Sequence, residues 1–290
     1  MNRHDHDHGL EHDLHRLLGI ANSRRRALRW LGGAGALALV GCGGGEDDAA
    51  SSSSGSGSSD GGSAGSGSSS GTAPTCSVIP EETAGPYPGD GSNTSGGSIA
   101  NALTLSGIVR SDIRASVAGA SGVAQGVPMS VVIDLVNTNA SCADLSGYAI
   151  YLWHCDAAGR YSMYSSGVTA ENYLRGVQAT GSDGTATFST IVPGCYSGRM
   201  PHMHFEVYRS TGTASQYTNK LRTSQIAFPI DICSAVYNGS SLYSASVANL
   251  ARFSFATDNV FSDGVTTQLA TVTGDLANGY VARLQVGIAA

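Results

Sequence analysis

The stretch Pro193–Phe205 reads PGCYSGRMPHMHF and ends in two histidines separated by one residue. In an extended strand, residues two apart project from the same face, so His202 and His204 are expected side by side, roughly 6–7 Å apart along the backbone. This spacing suits two imidazoles that bind one ion, and neutral imidazole is the commonest metal ligand in proteins. Met203 and Phe205 then face the opposite way, into a core.

Two residues just upstream strengthen the prediction of a site. Tyr196 offers an anionic oxygen ligand, and Arg199 offers a fixed cation. The alternative is that His202 and His204 share a half-buried strand by chance, and a bare His-x-His pattern does not decide between the two.

Short β-like runs surround this stretch, between clusters of Gly, Asn and Asp, and no long amphipathic helical pattern interrupts them. We expect one short helical turn at 247–253. Many strands without intervening helices predict an all-β fold, an antiparallel β-sandwich in which long loops form the site. The clearest strands are predicted at 127–136, 148–155, 185–191, 200–208 and 280–288.

The beginning of the chain resembles an export signal. SRRRALR at 23–29 precedes a short apolar run, as in a twin-arginine signal, with an ordinary Sec signal as the alternative. The run ends in LVGC, which resembles a lipobox and predicts lipidation at Cys42; a plain cleavage site with an incidental cysteine is the alternative. We therefore predict an export signal over 1–41 and an exported protein, either a membrane-anchored lipoprotein or a periplasmic or extracellular one.

Composition divides the remainder of the chain. Residues 42–75 are mostly Gly, Ser, Ala and Asp, which predicts a flexible linker. Residues 76–290 carry the predicted strands and form the predicted catalytic domain. The net charge of −6 argues against nucleic-acid binding through a basic surface. The predicted lipid anchor at Cys42 is the only membrane contact that we expect.

Three longer motifs resemble the intradiol ring-cleavage dioxygenases, the protocatechuate and catechol dioxygenase family, and in particular its exported branch. They are TAGPY at 83–87, YLWHCDAAGRYS at 151–162, and LRGVQATGSDGTATFSTIVPGCYSGRMPHMHF at 174–205. The resemblance runs from about Cys76 to the C-terminus. It places Tyr161, which follows a Gly-Arg turn, in the same site as Tyr196.

The resemblance implies a non-haem ferric iron, Fe(III), held by two tyrosinates and two histidines. By motif, these ligands are Tyr161, Tyr196, His202 and His204. A free tyrosine has a pKa near 10, but a bound cation favours the anion. Two phenolates and a hydroxide balance three positive charges, so a buried site need carry no net charge.

The implied reaction uses O2 to cleave a catechol-type aromatic ring between its two hydroxyl-bearing carbons, giving a cis,cis-muconate-type diacid. In that scheme the substrate replaces Tyr196 as a ligand, and Arg199 stabilises the charge that develops on the ring. Gln225 lies next to the iron ligands without binding the metal. Five residues separate Tyr196 from His202, fewer than in the best-known members, so substrate identity is not carried over.

Two other functions are kept open. The His-x-His pattern also fits a cupin-like zinc, copper or iron(II) site, although such a site usually needs a third histidine downstream and none follows His204. A non-enzymatic β-sandwich surface lipoprotein that binds sugar or protein is the second alternative. Neither would show tyrosinate-to-iron charge transfer.

The widely spaced cysteines of an exported chain indicate disulfides rather than a zinc ribbon, since no CxxC pair exists. We expect Cys76–Cys233, because this bridge closes a long loop, and Cys155–Cys195, because a free thiol beside ferric iron risks oxidation. Cys142 is then unpaired. The helical dimerisation segment of the family has no counterpart before Cys76, which favours a monomer.

Overall fold

The structure, a computed structural model, describes residues 76–290. The predicted export signal over 1–41, the lipidation site Cys42 and the linker over 42–75 lie outside the described residues and stay predictions. Within residues 76–290, no helix is both long and apolar enough to cross a membrane.

Strands dominate the described residues, as the sequence predicts. They are β1 (Asp90–Ser95), β2 (Ser98–Asn101), β3 (Pro128–Asn137), β4 (Ala143–Asp144), β5 (Ala149–Trp153), β6 (Arg175–Ala179), β7 (Thr185–Ile191), β8 (His202–Tyr208), β9 (Lys220–Ala227), β10 (Thr271–Asp275) and β11 (Gly279–Ile288).

Two of the sheets pack into a sandwich. One has the order β10-β11-β3-β4, with β7 also paired to β3, and the other has the order β6-β5-β8-β9. The strands β1 and β2 form a separate hairpin. Apolar side chains of β3, β5, β8 and β11 meet in one core, which confirms the predicted β-sandwich.

One strand pair departs from the antiparallel expectation. β3 and β11 run parallel, with Met129 opposite Tyr280 and Asn137 opposite Ile288. Parallel neighbours need a long crossover connection, and here the connection contains the whole second sheet and both helices.

The helices are short and lie in the C-terminal third of the chain. They are α1 (Ile230–Gly239) and α2 (Ser244–Leu250), and 3₁₀ turns occur at Thr138–Ala140, Tyr217–Asn219, Ser241–Tyr243 and Phe261–Asp263. The sequence predicted a turn at 247–253, which overlaps α2, but gave no signal for α1. Helix α1 packs Cys233, Val236 and Tyr237 into the main core.

Strand β8 positions the site, and its sequence HMHFEVY alternates between two kinds of residue. Met203, Phe205 and Val207 point into the main core of the sandwich. The polar residues at 202, 204, 206 and 208 share the opposite face, because side chains alternate along a strand. Every residue of β8 is buried, so these polar groups need partners inside the protein.

The disulfide predictions are wrong. The structure pairs Cys76 with Cys142, while Cys155, Cys195 and Cys233 are buried and form no disulfide within residues 76–290. The reason lies in the parallel pairing of β3 with β11: Val78 bridges Gly287 on one side of β11, and Cys142 follows the end of β3 on the other side. The two thiols are thereby brought to a Cα–Cα distance of 5.8 Å.

Candidate metal centre

His202 and His204 lie at the beginning of β8 and point to the same side, as predicted. Their Nε2 atoms are 3.1 Å apart, and each side chain is 2% exposed. Burial, and next the positive charge of Arg199, lowers the pKa of His202 well below its usual value; burial and then His202 do the same for His204. Both rings are therefore neutral, the form that binds metals.

The orientation of His202 is fixed by its other ring nitrogen. Nδ1 lies 2.7 Å from the carbonyl oxygen of Met200. A carbonyl only accepts, so Nδ1 carries the proton and the Nε2 lone pair is directed into the site.

The ring of His204 is held by close packing against two residues. Trp153 of the neighbouring strand β5 stacks on it with the ring centroids 5.0 Å apart and the planes only 6° from parallel. Gly85 of the TAGPY segment approaches it so closely that a Cβ there would lie 3.2 Å from His204 Cε1, and its φ of +70° also favours glycine.

Both predicted tyrosines face the histidines. Tyr196 Oη is 3.1 Å from His202 Nε2, and the rings of Tyr161 and Tyr196 have centroids 5.8 Å apart. Tyr161 is 1% exposed, and by distance and angle its Oη makes no hydrogen bond within the described residues. The hydroxyl of Tyr196 lies close enough to interact with it, so each phenol affects the pKa of the other. A buried hydroxyl with so weak an internal partner is suited to a ligand from outside the chain.

Burial raises the pKa of both phenols, that of Tyr196 to about 12 and that of Tyr161 well above its usual value. Without a cation both therefore stay protonated at neutral pH. A bound trivalent cation inverts this preference and favours the phenolates.

The predicted cation Arg199 is buried beside the histidines. Its Nη1 lies 3.4 Å from His202 Nε2, and Nη2 donates to Gln225 Oε1 at 2.6 Å. Gln225, opposite His204 on β9, donates in turn to the carbonyl oxygen of Thr83 at 2.9 Å. The structure thus brings together all six residues that the sequence singled out, while their roles stay predictions.

Sequence reasoning missed three residues at this site. The buried carboxylate of Asp258 accepts a hydrogen bond from Arg199 Nε, and Phe261 packs against both Arg199 and His202. Trp153 lies in the motif YLWHCDAAGRYS, but the sequence did not assign it to the site. Asp258 follows Thr257 in a turn and carried no signal in the sequence, because its contact with Arg199 joins positions 59 residues apart.

The donor set fits a hard trivalent ion. Two neutral imidazole nitrogens and two phenol oxygens converge, and no group of three or more His, Cys, Asp or Glu side chains that could hold a metal occurs in residues 76–290. Phenolate oxygen is a hard donor, which suits ferric iron better than soft ions.

Comparisons with known proteins agree with this geometry. The family model described as Dioxygenase matches residues 112–233, which include Tyr161, Tyr196, His202 and His204. A search of curated proteins returns no sequence match to this chain.

Solved structures share the fold. An intradiol ring-cleavage dioxygenase from Tetranychus urticae has a TM-score of 0.56 at 24% identity and covers 73% of this chain and 95% of its own. Another dioxygenase crystal structure has a TM-score of 0.55 at 24% identity and covers 74% and 95%.

At 24% identity, the likeness to these solved structures shows that the fold is shared. The family model, in addition, matches the segment that contains the four candidate metal ligands Tyr161, Tyr196, His202 and His204. Together they confirm the resemblance to the intradiol ring-cleavage dioxygenases. The exported, lipid-anchored branch stays a prediction.

Proposed function

From the confirmed resemblance to the intradiol ring-cleavage dioxygenases, we propose that this protein is a non-haem Fe(III) enzyme that cleaves a catechol-type ring with O2. The bond broken lies between the two hydroxyl-bearing carbons, and the product is a cis,cis-muconate-type diacid. One observation carries the proposal: two imidazole Nε2 atoms 3.1 Å apart lie beside Tyr196 Oη and the buried ring of Tyr161.

Tyr161, Tyr196, His202 and His204 would hold the iron. When bound, ferric iron supplies Lewis-acid chemistry that draws electron density from a chelated catecholate and opens the ring to O2. Tyr161 and the two histidines are almost fully buried, whereas Tyr196 is partly exposed. Burial fixes the first three and leaves Tyr196 as the member with room to move.

Tyr196 therefore suits the role of the residue that gives way to substrate. A phenolate that leaves its cation takes a proton at neutral pH, because the pKa of free tyrosine is near 10. Tyr196 Oη would thus accept one of the two hydroxyl protons that the substrate loses. The proton would stay at the site rather than pass to water.

Arg199 would act on the substrate ring itself. Its guanidinium is 4% exposed and lies directly beside His202, so its charge is little screened by water. A preorganised cation of this kind stabilises negative charge that develops in a transition state. Gln225 and its bond to Thr83 hold one edge of that guanidinium.

The experiment that tests the function is an oxygen-consumption assay with protein of measured iron content. The panel is catechol, protocatechuate, hydroxyquinol and substituted catechols, with products identified by mass. We expect consumption of one O2 per ring with at least one diol and a product heavier than the substrate by both oxygen atoms. An iron-loaded protein that consumes no O2 with any of them, or opens the ring beside the diol, contradicts the proposal.

We also propose that the protein is exported and anchored through Cys42, on the strength of SRRRALR and LVGC. Replacing Arg24 and Arg25 with lysine should leave the precursor in the cytoplasm if the twin-arginine route is used. Cys42→Ala should release the protein from the membrane fraction. Normal processing of the first variant would indicate the Sec route, and an unchanged membrane fraction in the second would contradict the anchor.

A further inference from the structure

Asp258 is a fully buried carboxylate that lies outside the segment matched by the family model. Its Oδ1 accepts backbone N–H groups from Val260 at 2.8 Å and Phe261 at 3.1 Å. Its Oδ2 accepts the backbone N–H of Met200 at 2.7 Å. Arg199 Nε donates to both oxygens, at 3.2 and 3.0 Å.

These contacts decide which way the guanidinium of Arg199 faces. Asp258 takes Nε, and Gln225 takes Nη2 at 2.6 Å. Because the guanidinium is planar and rigid, holding it at these two points fixes the direction of Nη1. Nη1 is the nitrogen that lies 3.4 Å from His202 Nε2, at the edge of the donor cluster.

The two buried arginines of residues 76–290 are held in different ways. Arg175 is 0% exposed, and its hydrogen-bond partners are backbone carbonyl oxygens and the hydroxyls of Ser162 and Tyr151. A buried arginine can therefore be accommodated here by neutral acceptors alone, and the carboxylate at Arg199 is not required merely because the side chain is buried. Arg199 is held instead by a carboxylate that comes from another part of the chain.

We infer that Asp258 is a positioning residue, which acts through Arg199 by directing Nη1 toward the place where the substrate ring reacts. This inference rests on the proposed function. Asp258 does not reach the donor cluster itself; its effect on turnover passes through the guanidinium.

A purely structural role is the competing explanation, since Asp258 also accepts three backbone N–H groups. A double-mutant cycle separates the two. It compares wild type, Asp258→Asn, Arg199→Ala and the double variant, each with turnover divided by bound iron. Asp263→Asn, an exposed aspartate five residues further along, is the matched control.

We expect Asp258→Asn to lower kcat roughly 10- to 100-fold, the scale for removing an outer partner of a site group. KM and the visible absorption band should change little, because the iron ligands are untouched. In the Arg199→Ala background, Asp258→Asn should cost nothing further, since residues that act as a unit are not additive. An equal loss in both backgrounds, or a normal kcat in Asp258→Asn, overturns the inference.

A second measurement does not depend on catalysis. The full-length protein is loaded with diamagnetic Ga(III), and hydrogen exchange of the arginine Nε–H groups is followed by NMR. Arg199 Nε–H should exchange far more slowly than that of the exposed Arg252, and Asp258→Asn should remove this protection. Equal exchange at Arg199 and Arg252 in the wild type overturns the inference even if the variant does not fold.

The two failures are distinguishable. A wild type that binds iron but cleaves no diol contradicts the proposed function, while slow exchange at Arg199 that Asp258→Asn removes would still show the clamp by Asp258. The opposite result is also possible: the wild type cleaves the ring, the effects of Asp258→Asn and Arg199→Ala on kcat are additive, and Arg199 Nε–H exchanges quickly. That result would support the proposed function and contradict a positioning role for Asp258.

Discussion

One face of β8 carries two buried polar clusters, and they differ in how far the protein pairs them internally. At the beginning of the strand, His202 and His204 turn their Nε2 atoms toward one another, and the nearby Tyr161 Oη has only the hydroxyl of Tyr196 as an interaction partner among residues 76–290. At the other end, Glu206 accepts from Lys220 Nζ at 2.8 Å and from Tyr208 Oη at 2.7 Å.

The Glu206 end is close to self-sufficient. Asp90 Oδ2 makes no hydrogen bond there, but it lies 3.8 Å from the same ammonium group of Lys220. Buried polar groups that are paired inside the chain specify and stabilise a fold, whereas groups left without partners are suited to an external ligand. The comparison separates a structural cluster from a functional one on the same strand.

His204→Ala should have the largest effect on activity. Removing one of four converging donors should abolish stoichiometric iron binding and turnover, because the remaining three do not complete the site. Glu206→Gln, two residues further along the same face, is the matched control and should keep iron. Iron content and oxygen consumption are measured for both variants. Iron loss in Glu206→Gln but not in His204→Ala would show that the functional cluster lies at the Glu206 end of the strand.

Arg199→Ala should come next. The ligands remain, so iron and colour should persist, while turnover falls by roughly 10²-fold or more because a preorganised cation is lost. Steady-state kinetics on protein of known iron content checks this. Turnover close to that of the wild type would remove Arg199 from the mechanism.

Glu206→Gln should affect stability, with a defined dependence on pH. Burial raises the pKa of Glu206 from 4.5 to about 7, so the folded state binds more protons than the unfolded state between these values. Its contribution to the free energy of unfolding is present in full below pH 4.5 and is lost as the pH rises through 7. The loss is up to about 3 kcal/mol, at 1.36 kcal/mol per pKa unit.

The quantity to measure is the free energy of unfolding of wild type minus that of Glu206→Gln, from urea unfolding between pH 4.5 and 8. The difference is needed because His154 has its pKa lowered by burial to about 4 and contributes a slope of the opposite sign in both proteins. We expect the difference to fall with rising pH. A constant or rising difference would show that Glu206 is not held as the structure indicates.

Local patterns made much of the fold predictable. The predicted strand at 185–191 matches β7, and 127–136 and 280–288 agree with β3 and β11 to within one residue at each end. Alternation along HMHF likewise placed both histidines on one face. These features depend on neighbours in the sequence, which periodicity reports directly.

Features that depend on distant contacts were not predictable in this way. The bridge Cys76–Cys142 follows from the parallel register of β3 with β11, which no local pattern contains. Asp258 reaches Arg199 only after the chain has passed through β9 and both helices. Helix α1 buries Cys233 in a core that the sequence could not place, so the predicted bridge to Cys76 was wrong.

The measurement that tests the central claim most directly is the visible spectrum of the iron-reconstituted protein together with a metal assay. The account predicts one iron per chain and a red to burgundy colour from tyrosinate-to-iron charge transfer. The band should shift or bleach, with reduced iron content, in Tyr161→Phe, and it should persist in the exposed Tyr217→Phe control. A colourless protein that holds stoichiometric zinc after iron reconstitution would contradict the account.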